Sequence, residues 1–395
     1  KKEEAAKFLE SCKNTKFQVL DIETKPFTKS SSAPFTTSSL QQEASRKLGF
    51  SVSKTMIVAQ QLYETGKITY MRTDSVNLSD IAIAQSKDII SKLYGENYSN
   101  PRQFQNKIKG AQEAHEAIRP TEISVEDIPG TKDQKRLYEL IWKRTIASQM
   151  SNAIFDRTTI QINSPEPKYF FVAKGEVLKF DGFLKVYSEN TDDETTEEDT
   201  SLLPLVQVNE ALDYKEINAT QKFSTHSPRY TEAALVRKLE ELGIGRPSTY
   251  APTISTIMRR EYVVKDSRDG QARNYEIVRL VKKEITEETK QEIVGSEKNK
   301  LFPTDIGILV TQFLKESFPD ILDYSFTAKV EKQFDEIAMG KVVWNDMINS
   351  FYKTFHPQIE KISTESKKFV GERLLGVDPK TKQNVYAKIG RYGPI

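Results

Sequence analysis

The chain has 395 residues, which at roughly 100–200 residues per domain excludes a single small module and points to about two to four domains. Hydrophobic residues are 37%, charged residues 29% and aromatic residues 10%, a composition that excludes a disordered or collagen-like polymer and suits a packed core. The 58 Lys and Arg against 56 Asp and Glu look balanced, but seven of the acids fall in Glu189–Asp199; 58 bases against 49 acids elsewhere permit a polyanionic partner.

In chain order, Leu40, Ala44 and Leu48 fall at helical spacing and Gly49 ends that helix. Ser51 or Ser53 caps a second helix carrying Ile57, Gln61 and Leu62, stopped by Gly66, and Ile68–Met71 reads as extended. The β-branched and aromatic runs Thr158–Asn163, Tyr169–Ala173, Glu176–Phe180, Phe183–Tyr187 and Leu205–Leu212 predict a β-rich middle, with Glu189–Asp199 as a solvated loop inside it. At Thr231 the helix–turn–helix grammar returns. Thr231 caps a helix with Leu235, Leu239 and Leu242 on one stripe, Gly243-Ile244-Gly245 breaks it, and Ser248 or Thr249 caps the next through Ile254, Ile257 and Met258. A hairpin is expected to follow, Tyr262–Val264 and Tyr275–Val278 about the turn Arg268-Asp269-Gly270. Paired helices of this kind often serve nucleic-acid binding, and more often simply pack.

Three further helices are predicted over 301–362, with Phe334, Ile337, Trp344, Ile348, Phe351 and Phe355 at core spacing and read as core. Ser363–Gly371 reads as a linker into a small β unit, Arg373–Ile395. The lone Cys12 excludes an intrachain disulfide and favours a reducing, cytoplasmic compartment. No run approaches the roughly 18 apolar residues of a membrane helix.

GxxxxGK[ST], GxSxG and HExxH are absent, and the three histidines lie far apart without cysteine partners, so neither ATP on a P-loop nor a zinc site is supported. What remains is Ile68–Ser75, where an extended backbone would place Tyr70 and Arg72 on one face, with Asp74 next along it. An ordinary phenol is only about 0.1% ionised at neutral pH, a deficit of roughly 4 kcal/mol. An adjacent guanidinium lowers an acid's pKa by about 1–3 and can hold a phosphate through two hydrogen bonds, so a base or metal elsewhere would have to complete the activation. Two more clusters suit phosphate. In Glu113–Pro120, His115 and Arg119 would share a helical face as i,i+4 neighbours. In Gly243–Tyr250, glycines, Arg246, Ser248 and Thr249 meet at a helix N-terminus.

Ile68–Ser75 (ITYMRTDS), Glu113–Pro120 (EAHEAIRP), Arg229–Leu235 (RYTEAAL) and Leu242–Thr256 (LGIGRPSTYAPTIST) resemble, in order and spacing, the signature segments of type IA DNA topoisomerases. Ala33–Leu48, Phe180–Val186 and Phe326–Gly340 add to the resemblance, and Met71 between Tyr70 and Arg72 resembles the bacterial topoisomerase I branch. The resemblance implies a multidomain α+β, predominantly helical fold forming a toroidal gate. Its parts would be an incoming arch segment (1–29), a winged-helix-like domain bearing the nucleophilic tyrosine (30–154), a β-rich arch (155–225), a helical DNA-binding domain (226–362), and a linker leading into a truncated repeat (363–395).

By the same resemblance Tyr70 would attack single-stranded DNA to form a 5′-phosphotyrosine, and Arg72 would stabilise the transition state. Asp74, His115, Arg119, Arg229, Thr231, Arg246, Ser248 and Thr249 would contact DNA. The implied protein is a monomeric, cytoplasmic, nucleoid-associated bacterial enzyme that relaxes negatively supercoiled DNA without ATP. Nothing before Phe35 resembles the family's Toprim domain, so the chain reads as a piece of a longer protein. Mg²⁺ ligands are expected in that missing domain and none in this chain, and the piece alone is expected to be inactive. The alternative is a non-catalytic winged-helix DNA-binding module in which Tyr70 merely packs.

Overall fold

The computed structural model describes residues 1–105, 115–188, 203–365, 372–390 and 393–394. The acidic run Glu189–Asp199, and Glu113 and Ala114 of the second motif, lie outside the described residues. The architecture is mixed α+β. Helix α1 (Lys2–Cys12) leads into β1 (Phe17–Lys29), and a helical unit follows with α2 (Thr37–Glu43), α3 (Val52–Glu64), α4 (Asp80–Tyr94) and α5 (Lys132–Ser148). Each of these four is started by a side-chain oxygen that satisfies a free first-turn N–H: Thr36 accepts from Ser39 N, Ser51 from Lys54 N, Ser79 from Ala82 N and Thr131 from Gln134 N. After α2 the chain passes through a π-turn at Ala44–Leu48 and reverses at Gly49, whose φ of 69° is the left-handed conformation that glycine adopts without strain. The largest core gathers on this unit around Phe35, Leu40, Leu62, Ile68, Met71, Ile118 and Trp142. The Trp142 indole N–H is satisfied by the Ile123 carbonyl at 2.9 Å.

The second layer is an antiparallel sheet in the order β3-β2-β1-β4, formed by β1 with β2 (Ala153–Asn163), β3 (Phe170–Phe180) and the short β4 (Ala211–Leu212). The β-rich middle is therefore built differently from the sequence expectation. Phe170–Ala173 and Glu176–Phe180 are one strand running through Gly175, and Phe183–Tyr187 is not a strand but begins within a 3₁₀ turn, Gly182–Lys185. Gly182 sits at φ 48°, and a Cβ there would lie 2.5 Å from the carbonyl oxygens of Ser151 and Asn152. That close approach ends the strand. Of Leu205–Leu212 only Ala211–Leu212 is strand, opposite Phe17 and Gln18, while Asn209 and Glu210 bond to the Val19 backbone.

Strand β5 (Glu216–Thr220) precedes a second helical pair, α6 (Glu232–Glu241) and α7 (Tyr250–Arg259). The four strands β6 (Val263–Arg268), β7 (Gln271–Val281), β8 (Glu284–Val294) and β9 (Glu297–Pro303) then form two sheets, β5-β7-β8 and β6-β9. The hairpin expected between β6 and β7 does not form, because the turn at Asp269 sends its two strands into different sheets. The real hairpin is β7–β8, closed by Lys282-Lys283 at φ 46° and 68°. Two left-handed residues give the turn a twist that matches the paired strands.

Helices α8 (Asp305–Ser317), α9 (Pro319–Leu322), α10 (Ser325–Ala338) and α11 (Trp344–Glu365) follow, and β10 (Glu372–Val377), β11 (Asn384–Gly390) and β12 (Gly393–Pro394) form a last sheet. The predicted linker thus begins inside α11. The apolar stripe of α10 and α11 was expected to be core, and it is not. Phe334, Ile348 and Phe351 are exposed, and Trp344 is 60% exposed; the ring pairs of α11 are with Phe326 of α10, through Phe351, and with Phe318 between α8 and α9, through Phe355.

Candidate active site

The Tyr70 segment is held from both sides by backbone pairing. On one side Ile68 bridges Pro120 and Thr69 N–H donates to the Arg119 carbonyl at 2.9 Å. On the other, the Thr37 hydroxyl donates to the Met71 carbonyl at 2.7 Å, while Thr73 N–H donates to Thr37 Oγ1 at 2.8 Å. Ile68–Ser75 has no regular ladder, yet its side chains alternate from Tyr70 on. Met71, Thr73 and Ser75 are buried, Tyr70 and Arg72 are exposed, and Asp74 is half-buried. Tyr70 keeps 38% of its surface, and its ring lies edge-on to Tyr63 at 5.2 Å between centroids and tilted to His115 at 6.1 Å. Among the described residues nothing pairs with the Arg72 guanidinium. A phenol and an uncommitted cation therefore emerge together from a clamped backbone.

The segment 115–120 is extended rather than helical, which corrects the expected shared helical face of His115 and Arg119. Phe35 pairs with Ile118 and Ile68 with Pro120; a proline at the end of the run and two strand-like partners outcompete a single helical turn. His115 turns toward Tyr70. Arg119 turns inward, 12% exposed, with its nitrogens on Glu116 at 2.7 and 3.3 Å and on the Pro120 carbonyl at 2.9 Å. Glu116 also accepts Ser79 N–H at the start of α4. Burial works to raise its pKa, but the Arg119 and Ser79 hydrogen bonds outweigh this and hold the carboxyl below the usual range.

A cleft of about 230 Å³ separates Asp74 and Ser38 from the α6–α7 loop and α10. In it Arg246 is paired with Glu331 at 3.1 Å and Asp335 at 2.9 Å. Ser38 donates to Glu240 at 2.7 Å. Burial, with Asp74 and Glu241 adding to it, raises the Glu240 pKa against that hydrogen bond, and burial likewise pushes the Tyr250 phenol up. Thr249 occupies the N-cap position of α7, but its hydroxyl bonds back to the N–H and C=O of Arg246 rather than capping the helix. Ser248 is exposed. Thr231 is the cap of α6, accepting from Ala234 N. Two residues before it, Arg229 lies against Glu297 at 3.5 Å and over the Phe302 ring at 4.9 Å.

The structure thus joins Tyr70 with His115, joins Asp74 with Arg246 across one cleft, and leaves Arg229 apart on the β6–β9 side. Sequence reasoning missed Thr37, Tyr63, Glu116, Glu240, Glu331 and Asp335; only Glu331 and Asp335 carried a signal, their i,i+4 spacing on a helix. Among the described residues no three His, Cys, Asp or Glu side chains converge as a metal cage requires. Among the described residues this set offers no oxygen-ligand cluster for Mg²⁺. No described helix is long and apolar enough to cross a membrane.

A family model described as DNA topoisomerase matches residues 1–288 and 281–349. DNA topoisomerase 1 of Rickettsia felis is 43% identical over 378 residues, covering 92% of this chain and 44% of that protein. The protein described as DNA topoisomerase 1 type prokaryotic from Acanthamoeba polyphaga mimivirus is 41% identical over 410 residues, covering 98% and 48%. The structure of full-length topoisomerase I from Thermotoga maritima superposes with a TM-score of 0.73 at 30% identity, covering 98% of this chain and 60% of that one. The chain belongs to the DNA topoisomerase family. It spans about half the length of these curated relatives.

Proposed function

We propose that the full-length protein is a type IA DNA topoisomerase that breaks and rejoins single-stranded DNA and so relaxes negatively supercoiled DNA, with Tyr70 as its nucleophile. The reading rests most on one observation: Tyr70 and Arg72, two residues apart, are both exposed on a backbone fixed at Thr69, Met71 and Thr73.

In the proposed step the Tyr70 oxygen forms a bond to a backbone phosphorus. The bond from that phosphorus to the 3′-oxygen breaks, the phenol loses its proton and the departing 3′-oxygen gains one. Arg72 balances the charge that builds on the phosphoryl oxygens. His115, whose ring lies 6.1 Å from that of Tyr70, would contact the same phosphate. Because the phosphodiester is exchanged for a phosphotyrosyl ester, the 3′-hydroxyl can reverse the step without ATP.

Arg229, Thr231, Arg246, Ser248 and Thr249 would track the neighbouring strand, Arg246 only after leaving Glu331 and Asp335. Arg119, already saturated by Glu116, acts as a support for the Tyr70 segment. The helical unit with Tyr70, the β1–β4 sheet and the α6–α11 region would form the three sides of a toroidal gate in a monomer. The test is relaxation of a negatively supercoiled plasmid by the full-length protein without ATP. Relaxation that Tyr70→Phe abolishes supports the reading, and equal relaxation by Tyr70→Phe overturns it.

A further inference from the structure

The two helical pairs α2–α3 and α6–α7, far apart in sequence, pack against each other, and a carboxylate lies buried where they meet. Glu232, the first residue of α6, is 4% exposed. Its Oε2 accepts the N–H of Val52, the first residue of α3, at 2.9 Å, and its Oε1 lies 2.9 Å from Lys265 Nζ on β6. An N–H in a first helical turn has no partner within its own helix, and Val52 is fully buried, so water cannot replace the glutamate. The positive ends of two helix dipoles and one ammonium compensate the buried charge. Around it Val52 packs with Val236, Tyr250, Ala251 and Ile254, and the Ser53 and Ser255 hydroxyls are bonded to each other.

A surface acid serving only its own helix or only Lys265 would not need to enter this junction. What the junction joins gives the contact its meaning. Helix α2 carries Thr37, which clamps the backbone on either side of Arg72, while α6 runs from Arg229 and Thr231 to the loop of Arg246.

We propose that Glu232 is a positioning residue that sets the register between the tyrosine-bearing segment and the surface that holds the other DNA end. This rests on the topoisomerase reading above. In cleavage the phosphorus is still bonded to its 3′-oxygen, so the intact strand itself keeps the in-line geometry. Rejoining is more demanding. The 3′-hydroxyl, held without a covalent bond on the α6–α7 side, must return in line to the phosphorus on Tyr70, and a misplacement of about 1 Å costs roughly a hundredfold in rate. Loss of Glu232 therefore acts on rejoining far more than on cleavage.

The experiment uses the full-length protein with a labelled single-stranded oligonucleotide, trapping adduct with detergent for cleavage and chasing it with salt for rejoining. Glu232→Ala is expected to slow rejoining by about tenfold or more while cleavage stays within about threefold. Glu232→Gln, whose amide oxygen can still accept the Val52 N–H, is expected to restore most of the rejoining rate. Hydrogen exchange of the 52–55 amides is measured on the same proteins and should accelerate in the alanine variant and recover in the glutamine variant.

Parallel loss of both steps, unchanged rejoining, or a glutamine variant no better than alanine overturns the proposal. Absence of adduct from the unsubstituted protein sinks the topoisomerase reading instead. The exchange measurement then decides the clamp by itself, and unchanged exchange in Glu232→Ala overturns it.

Discussion

Thr37 and Thr73 hold each other through both backbone and side chain: Thr37 N–H donates to the Thr73 carbonyl at 2.9 Å, and Thr73 N–H donates to Thr37 Oγ1 at 2.8 Å. The same hydroxyl donates its own proton to the carbonyls of Met71 and Thr73. One fully buried side chain thus fixes the backbone around Arg72.

Thr37→Val keeps the volume and the backbone bond but removes the bonds of the hydroxyl, leaving the Thr73 N–H unsatisfied in the core. The expected cost is about 1–3 kcal/mol of stability, read by denaturant unfolding. Adduct formation by the full-length protein should fall more than stability alone accounts for, because the segment presenting Tyr70 loosens. A variant with normal stability and normal adduct formation would show that the clamp does not matter.

Glu240 gives a pH signature with a definite sign. Burial, Asp74 and Glu241 raise its folded-state pKa above the ordinary 4.5. Its stabilising contribution is therefore complete below the unfolded value and is lost as pH rises through the folded value. Glu240→Gln, which can still accept from Ser38, should raise Tm at neutral pH, and its advantage should vanish below about pH 4.5. A variant less stable than the parent at pH 7 would contradict this.

Arg246 is occupied by two carboxylates of α10, so the cleft has to exchange Glu331 and Asp335 for a phosphate before Arg246 can touch DNA. Combining Glu331→Gln with Asp335→Asn should tighten single-strand binding severalfold and steepen its dependence on log salt by about one. Glu336→Gln combined with Asp346→Asn removes the same two charges away from Arg246 and controls for net charge. An unchanged salt slope in the double variant would remove Arg246 from the DNA path.

Much of this was legible in the sequence where local chemistry decides structure. Gly49, Gly66, Ser51 and Thr231 mark helix ends because caps and left-handed turns are read within a few residues. The family resemblance was equally visible, being carried by contiguous words. What escaped depends on distant partners. Lys282-Lys283 turns a hairpin without the glycine or asparagine that usually signals one. His115 and Arg119 have helical spacing, but Phe35 and Ile68 claim their backbone for extended pairing. The stripe of α11 has core periodicity and stays exposed, since periodicity identifies a face and not what covers it. Glu116, Glu240 and Glu232 could not be distinguished from the chain's other carboxylates until the fold gave them partners and buried Glu232.

The central claim is that one hydroxyl, that of Tyr70, takes up DNA through the 5′-phosphate of the broken strand. Its most direct test is to incubate the full-length protein with a single-stranded oligonucleotide labelled at either the 5′ or the 3′ end, trap with detergent, digest, and map the modified peptide by mass spectrometry. The account predicts that only the 3′-end label remains with the protein, that the nucleotide sits on Tyr70, and that Tyr70→Phe carries none. A nucleotide on another residue, or retention of the 5′-end label, would contradict it.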